Sequence, residues 1–167
     1  MDIQKELIAE YDREIATTRK MLAAIPPDAD FTFKPHPKSM SLGRLAGHTS
    51  ETAGEWAMSI FTTDKLEFAC DHVFEPYVPA STAALLERFD KETAEARTAL
   101  AAFAPQKWDE NWKFVANGQA WIDDSKYGVF RTWVLDHLIH HRAQLGVYLR
   151  LLGASIPGSY GPSADET

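Results

Sequence analysis

The sequence predicts an all-α fold, a four-helix bundle with long connections. Four long stretches carry apolar side chains every three or four residues, the spacing that gives a helix one apolar face. Prolines, glycines and capping hydroxyls punctuate the ends of those stretches. No uninterrupted apolar run approaches the ~20 residues that a bilayer requires, so the apolar faces are expected to pack on one another.

The first helix runs from about Asp2 to Ala24 on a stripe of Ile3, Leu7, Tyr11, Ile15, Thr18, Leu22 and Ile25, and Pro26 and Pro27 stop it. Residues 31–38, with Pro35 and Pro37, read as an irregular connection. The second helix starts near Ser39 or Ser41, either of which can cap it, and reaches about Thr62. Leu42, Leu45, Thr49, Ala53, Trp56 and Ile60 face inward. Residues 64–80 form a long connection with Pro76 and Pro79 and room for a short helical turn.

The third helix follows Ser81 and ends before Pro105, with Ala84, Leu85, Phe89, Thr93, Ala96 and Leu100 inside. Glu87, Arg88, Lys91, Glu92 and Glu95 are expected on a solvated face. Residues 107–125 are the least helical. Asn117-Gly118 between β-favouring runs is a hairpin signal. The fourth helix runs from about Tyr127 to Leu152, on Val134, Leu138, Leu145, Leu149 and Leu152, and Gly153 ends it. Residues 154–167, rich in Gly and Pro, read as an extended surface segment.

A length of 167 residues suits one domain, residues 1–167. A chain of this size can bury enough apolar surface to fold without disulfides or a structural metal. Its 24 acidic and 17 basic residues leave a net charge of −7, which disfavours binding to phosphate backbones. The single cysteine, Cys70, cannot form an internal disulfide, and the charged N-terminus lacks the apolar stretch of a signal peptide. A cytoplasmic protein with no nucleic-acid or membrane partner is expected. Cys70 is expected to be a buried, inert thiol, and His36 and His72 to lie on the surface.

The chemistry concentrates in histidine. His137 and His141 lie one turn apart on the fourth helix, about 40° around its axis, so their rings can converge. His140 points about 100° from His141 and cannot join them. On the wheel the pair flanks the apolar stripe, and Gln144 and Tyr148 continue that edge. His48 has a matching place on the second helix. Three imidazoles with open positions would suit a catalytic metal site. The alternative is a pair of half-buried histidines bonded to backbone or to Asp136 and Asp124. Two other helical metal motifs are excluded. Leu138 stands where a zinc protease needs Glu. His48-Thr49-Ser50-Glu51 is a single, reversed copy of the motif that di-iron bundles need twice.

The segment His137-Leu138-Ile139-His140-His141-Arg142-Ala143-Gln144 resembles the His-x-x-x-His-Arg-Gly-Gln signature of the DinB/YfiT-like superfamily. Leu45-Ala46-Gly47-His48 and the tail Ser159–Glu166 resemble corresponding family segments, and the likeness runs the length of the chain. Ala143, where Gly is usual, is the one departure. The resemblance implies an up-down-down-up bundle, a metal triad at His48, His137 and His141, nickel, zinc or iron as the metal, and a homodimer. It also implies a thiol S-transferase or isomerase using a low-molecular-weight thiol such as glutathione, mycothiol or bacillithiol. A metal can deprotonate a bound thiol, or activate water for a hydrolase. Gln144 and Tyr148 are candidates to orient a small-molecule substrate and Arg142 to meet an acidic group. More simply, Arg142 is a surface ion-pair partner and Tyr148 a core-edge residue. Asp136 and Glu51 are possible bases, but no second catalytic group stands out. A non-catalytic, stress-linked metal or small-molecule binder, or a structural dimer with relic histidines, fits the same residues.

Overall fold

The structure is a computed structural model that describes residues 2–69 and 75–166; Cys70 and His72 fall outside the described residues. The helical segments are α1 (Ile3–Ala23), α2 (Leu42–Glu51), α3 (Ala57–Thr62), α4 (Thr82–Ala102), α5 (Lys126–Val129) and α6 (His137–Leu151). A π-helical turn, Thr52–Trp56, joins α2 to α3, and a second, Phe130–Asp136, joins α5 to α6. The backbone stays helical through these junctions, so each set forms one continuous rod. Hydroxyls and a carboxylate fix the starts. Asp2, Ser41, Ser81 and Ser125 accept the backbone N–H of Lys5, Arg44, Ala84 and Gly128. Such caps contribute about 1 kcal/mol each.

The all-α expectation is corrected by a small sheet. β1 (Lys65–Phe68) runs parallel to β2 (Asn111–Ala116), which pairs antiparallel with β3 (Gln119–Ser125). Asn117 and Gly118 turn the hairpin with positive φ angles of 54° and 73°, the conformation that favours this pair of residues. The sheet forms because Trp112 and Ile122 place an apolar face over one end of the bundle, against Trp108, Val129 and Phe130. β1 takes the place where a short helical turn was expected.

The rods meet in pairs. α1 packs chiefly on α4 and α6, and α2 packs on the same two helices. One core cluster holds Tyr11, Ile60, Leu100, Phe103, Trp108 and Phe130, near the sheet. The other holds Leu22, Leu42, Leu45, Phe89, Leu138 and Leu149. Glycine permits one close approach: a Cβ on Gly54 would stand 2.5 Å from Glu92 Cβ on α4. The charged face expected on that helix is therefore only partly solvated. Arg88 bonds Glu92 at 2.6 Å and Glu55 at 3.2 Å, and its guanidinium lies 4.0 Å over the Tyr77 ring.

A buried ion pair ties α6 to α1. Arg142 Nη1 lies 2.7 Å from Glu14 Oε2, with both side chains almost wholly buried. Arg142 also donates to the Glu14 carbonyl and to Thr18 Oγ1, each at 3.2 Å. Tyr160 brings the tail onto the pair: its hydroxyl accepts from Arg142 at 2.6 Å and donates to Glu14 Oε2 at 2.9 Å.

Candidate metal centre

His48 projects from α2, and His137 and His141 project from successive turns of α6. Their ring centroids lie 5.0 Å (His48–His137), 4.5 Å (His48–His141) and 4.5 Å (His137–His141) apart. One ligand atom from each lies within 4.8 Å of the other two. His137 Nε2 and His141 Nε2 are 2.7 Å apart. Zinc bound tetrahedrally by nitrogen at about 2.0 Å needs donors about 3.3 Å apart; the His137–His141 pair is closer than that, and all three donors lie within 4.8 Å of one another.

Hydrogen bonds on the far side of the rings show which nitrogens face the site. His141 Nδ1 is 2.8 Å from Gln144 Oε1, an acceptor, so Nδ1 carries the proton. The His137 ring bonds the backbone carbonyl of Trp133. With Nε2 turned to His141, that bond falls to Nδ1. Both Nε2 lone pairs then point at each other, an arrangement that a cation between them relieves. Burial, with the neighbouring imidazoles, lowers the pKa of His137 to about 4, and burial does the same for His141. At neutral pH both rings are the uncharged ligands that a metal requires.

His48 is held differently. Its Nδ1 lies 3.2 Å from Arg44 Nη2 and 3.5 Å from Glu51 Oε2. Glu51 is buried. It accepts from Arg44 Nη1 at 2.8 Å and from the Tyr77 N–H at 2.8 Å. Burial alone would raise the Glu51 carboxyl, but the bonds from His48, Tyr77 and Arg44 outweigh it and hold the group below its usual range. Gly47 lets Tyr77 reach this position, because a Cβ there would sit 2.2 Å from the Tyr77 carbonyl oxygen.

Two aromatic residues wall the site, and sequence reasoning did not assign them to it. Trp56 and Trp133 each lie in one of the π turns and stack at 5.5 Å and 14°. Both meet His137 edge-on, and Trp56 meets His48 in the same way. Trp133 stands four residues before His137, and that spacing is the signal which could have placed it on the same face.

The site opens on two hollows that share Met40. A cleft of ≈ 630 Å³ is lined by Met40, His48, Trp133, Asp136, His137 and His141. A second, of ≈ 430 Å³, is lined by Lys38, Ser39, Met40, His141, Gln144 and Tyr148. Gln144 and Tyr148 therefore stand beside the histidines, and the Tyr148 hydroxyl donates to the Met40 carbonyl at 2.9 Å. Asp136 and His140 line the rim of the larger cleft. Arg142 lines neither hollow, because its guanidinium is sealed against Glu14. His36 is exposed.

The fold and the cluster together define a mainly helical protein whose long rods bring three histidines to the mouth of an open cleft. Comparison with known proteins gives the same class. The profile of the DinB family matches residues 1–167, and the chain belongs to that family. It is 24% identical over 165 residues to the uncharacterized protein YrdA of Bacillus subtilis (strain 168), covering 95% of this chain and 89% of that one. It also resembles the crystal structure of a DinB-like protein from Bacillus cereus ATCC 10987. The TM-score is 0.70, with 23% identity, and the match covers 93% of this chain and 97% of that one. Among the described residues no helix is long and apolar enough to cross a membrane.

Proposed function

We propose that the protein binds one divalent transition metal through His48, His137 and His141 and uses it as an enzyme, transferring a small thiol or activating water against a small-molecule substrate. The observation that carries this reading is the meeting of two Nε2 atoms 2.7 Å apart, beside a third imidazole and an open cleft. Nickel, zinc and iron all accept such a donor set. The bound metal would lower the pKa of a thiol or water that shares it. The chain's own residues would hold the ligand rings (Gln144, Glu51 and the Trp133 carbonyl), exclude water from their back faces (Trp56 and Trp133) and shape the substrate space (Met40, Gln144 and Tyr148). Asp136 and His140 are ionisable groups that line the larger cleft, and Lys38 lines the smaller one. The four rods are read as an up-down-down-up bundle, supported by the packing of α1 on α4 and α6.

A second reading is a metal or small-molecule binder without turnover. It is favoured by the hydrogen bonds of Arg44, Glu51 and Gln144, which serve the rings and not the cleft.

Metal content of the untagged protein tests the shared premise. About one metal per chain is expected, lost in His48→Ala and His137→Ala. A chain that takes up neither nickel nor zinc would overturn both metal readings. Cobalt-substituted protein then separates them: a thiol that enters the metal's coordination changes the visible spectrum, and a binder closed to thiols leaves it unchanged.

A further inference from the structure

The turn that leads into α2 is fixed at two points. His36 accepts the Ser39 N–H on its carbonyl oxygen at 2.8 Å and the Lys38 N–H on its ring Nδ1 at 3.2 Å. On the other side Tyr148 of α6 donates its hydroxyl to the Met40 carbonyl, and its ring stands edge-on to Phe33 with centroids 6.1 Å apart. Lys38, Ser39 and Met40 are thereby held as one wall of the ≈ 430 Å³ hollow, with Gln144 and Val147 of α6 on the other.

The two hollows differ in charge. Asp136 lines the larger cleft, whereas the smaller hollow has no carboxylate on its lining and one cation, Lys38. The contrast is set in a chain of net charge −7. Every arginine forms an ion pair with a carboxylate, and Arg142, the cation that sequence reasoning aimed at an acidic group, is sealed against Glu14. Among the described residues Lys38 has no carboxylate partner. Gln144 adds a second donor. Its Oε1 serves His141 Nδ1, and its amide N–H groups bond none of the described residues. The Ser39 hydroxyl is a third donor on the same lining.

We propose that the smaller hollow seats a substrate carboxylate, held by Lys38, Ser39 and the Gln144 amide, so that the protein acts on a small organic acid. The inference rests on the metal-enzyme reading above and narrows its substrate class. A carboxylate only accepts hydrogen bonds and has room for several, which suits an ammonium, a hydroxyl and an amide N–H together. One lysine matches one negative charge, so a monoanion fits better than a phosphate ester with two. Met40, Leu45 and Val147 offer apolar surface for the hydrocarbon next to the acid. His141 lines both hollows, so a molecule anchored here keeps its remaining atoms beside the histidines. Asp136 repels the acid from the larger cleft and fixes which end of the substrate enters where.

The test is a titration of the ¹⁵N-labelled full chain, zinc-free and zinc-loaded, with 4-methylpentanoate, its neutral amide and the corresponding amine. The backbone signals of Ser39, Val147 and Tyr148 report the hollow, and those of Thr132 and Asp136 the larger cleft. In wild-type protein the acid should move the first set and bind about fivefold more tightly than the amide, the upper range for an exposed ion pair. Lys38→Met should abolish that preference, and Lys38→Glu should reverse it in favour of the amine. Lys38 is exposed, so both variants should fold, and both should keep the zinc content of the wild type. The carboxylate seat is overturned if acid and amide bind alike, if Lys38→Met keeps the preference, or if the acid moves only the larger cleft. It is equally overturned if the acid binds only zinc-loaded protein and binds Lys38→Met as well, since the acid is then a metal ligand. In each of these cases zinc uptake by the same samples leaves the metal reading standing. A wild-type chain that takes up no zinc overturns the metal reading, and with it the assignment of the acid as substrate.

Discussion

Gln144 and Arg142 are two residues apart on α6 and serve different ends. The Gln144 carbonyl oxygen fixes the His141 tautomer at 2.8 Å. Gln144→Leu should keep the fold, since the side chain is exposed. It should weaken metal binding about tenfold or more, because the ring loses the acceptor that keeps Nε2 bare. Calorimetric zinc titration checks this. Arg142 is two positions back around the helix and faces Glu14 across the α1–α6 contact. Arg142→Ala should cost about 3–5 kcal/mol of unfolding free energy in urea, because it leaves the Glu14 carboxylate buried without its cation. Arg142→Met with Glu14→Leu should recover most of that loss and leave metal content unchanged. Sequence reasoning offered Arg142 as a substrate contact or a surface ion-pair partner. A residue next to a candidate ligand looks functional in a one-dimensional pattern, and only the partner on α1, far away in sequence, shows that its role is to tie helices together.

At the scale of elements, the long rods were legible because their evidence is local: periodic apolar residues in all four, a capping serine for the second and third, and a proline or glycine stop for the first, third and fourth. The features that escaped depend on partners. β1 has only Lys65, Leu66, Glu67 and Phe68, too few for alternation to stand out, and its pairing to β2 joins segments remote in sequence. The π turns leave the surrounding apolar spacing intact, yet they carry Trp56 and Trp133 to the back of the histidines. The bond that holds the Tyr77 backbone on Glu51 is equally a matter of contact. It is made possible by Gly47, which the sequence displayed without its reason. Gly47→Ala should push the Tyr77 backbone off α2 and break its bond to Glu51. The expected loss is about 1–3 kcal/mol from overpacking, with a weakened zinc affinity that Gly54→Ala, overpacked against α4 instead, does not share. Thermal melts and zinc titration of the two variants, side by side, decide it.

For the whole molecule the candidate centre couples to stability through pH. His137 and His141 protonate at about pH 4 in the fold, whereas an unfolded histidine does so near pH 6.5. Between those values the unfolded chain binds protons that the folded chain refuses, so metal-free stability should fall as pH drops from about 6.5 to about 4. Below about 4 both states are protonated and this loss levels off. Metal binding acts on the same rings with the opposite sign, since it stabilises the folded form that keeps them neutral. Free zinc at a hundredfold excess over its Kd adds about 2.7 kcal/mol, or roughly 5–10 °C in the melting temperature of a chain this long. That increment should persist from pH 7 to about pH 5, because the α6 pair is still neutral there, and should vanish below about pH 4. Melting curves with and without zinc across that range make the test. An increment already lost at pH 6 would mean that the two imidazoles titrate like exposed ones and do not meet as the structure places them. An increment that survives to pH 5 and is absent in His137→Ala would link the neutral pair, the metal and the stability of the bundle in one measurement.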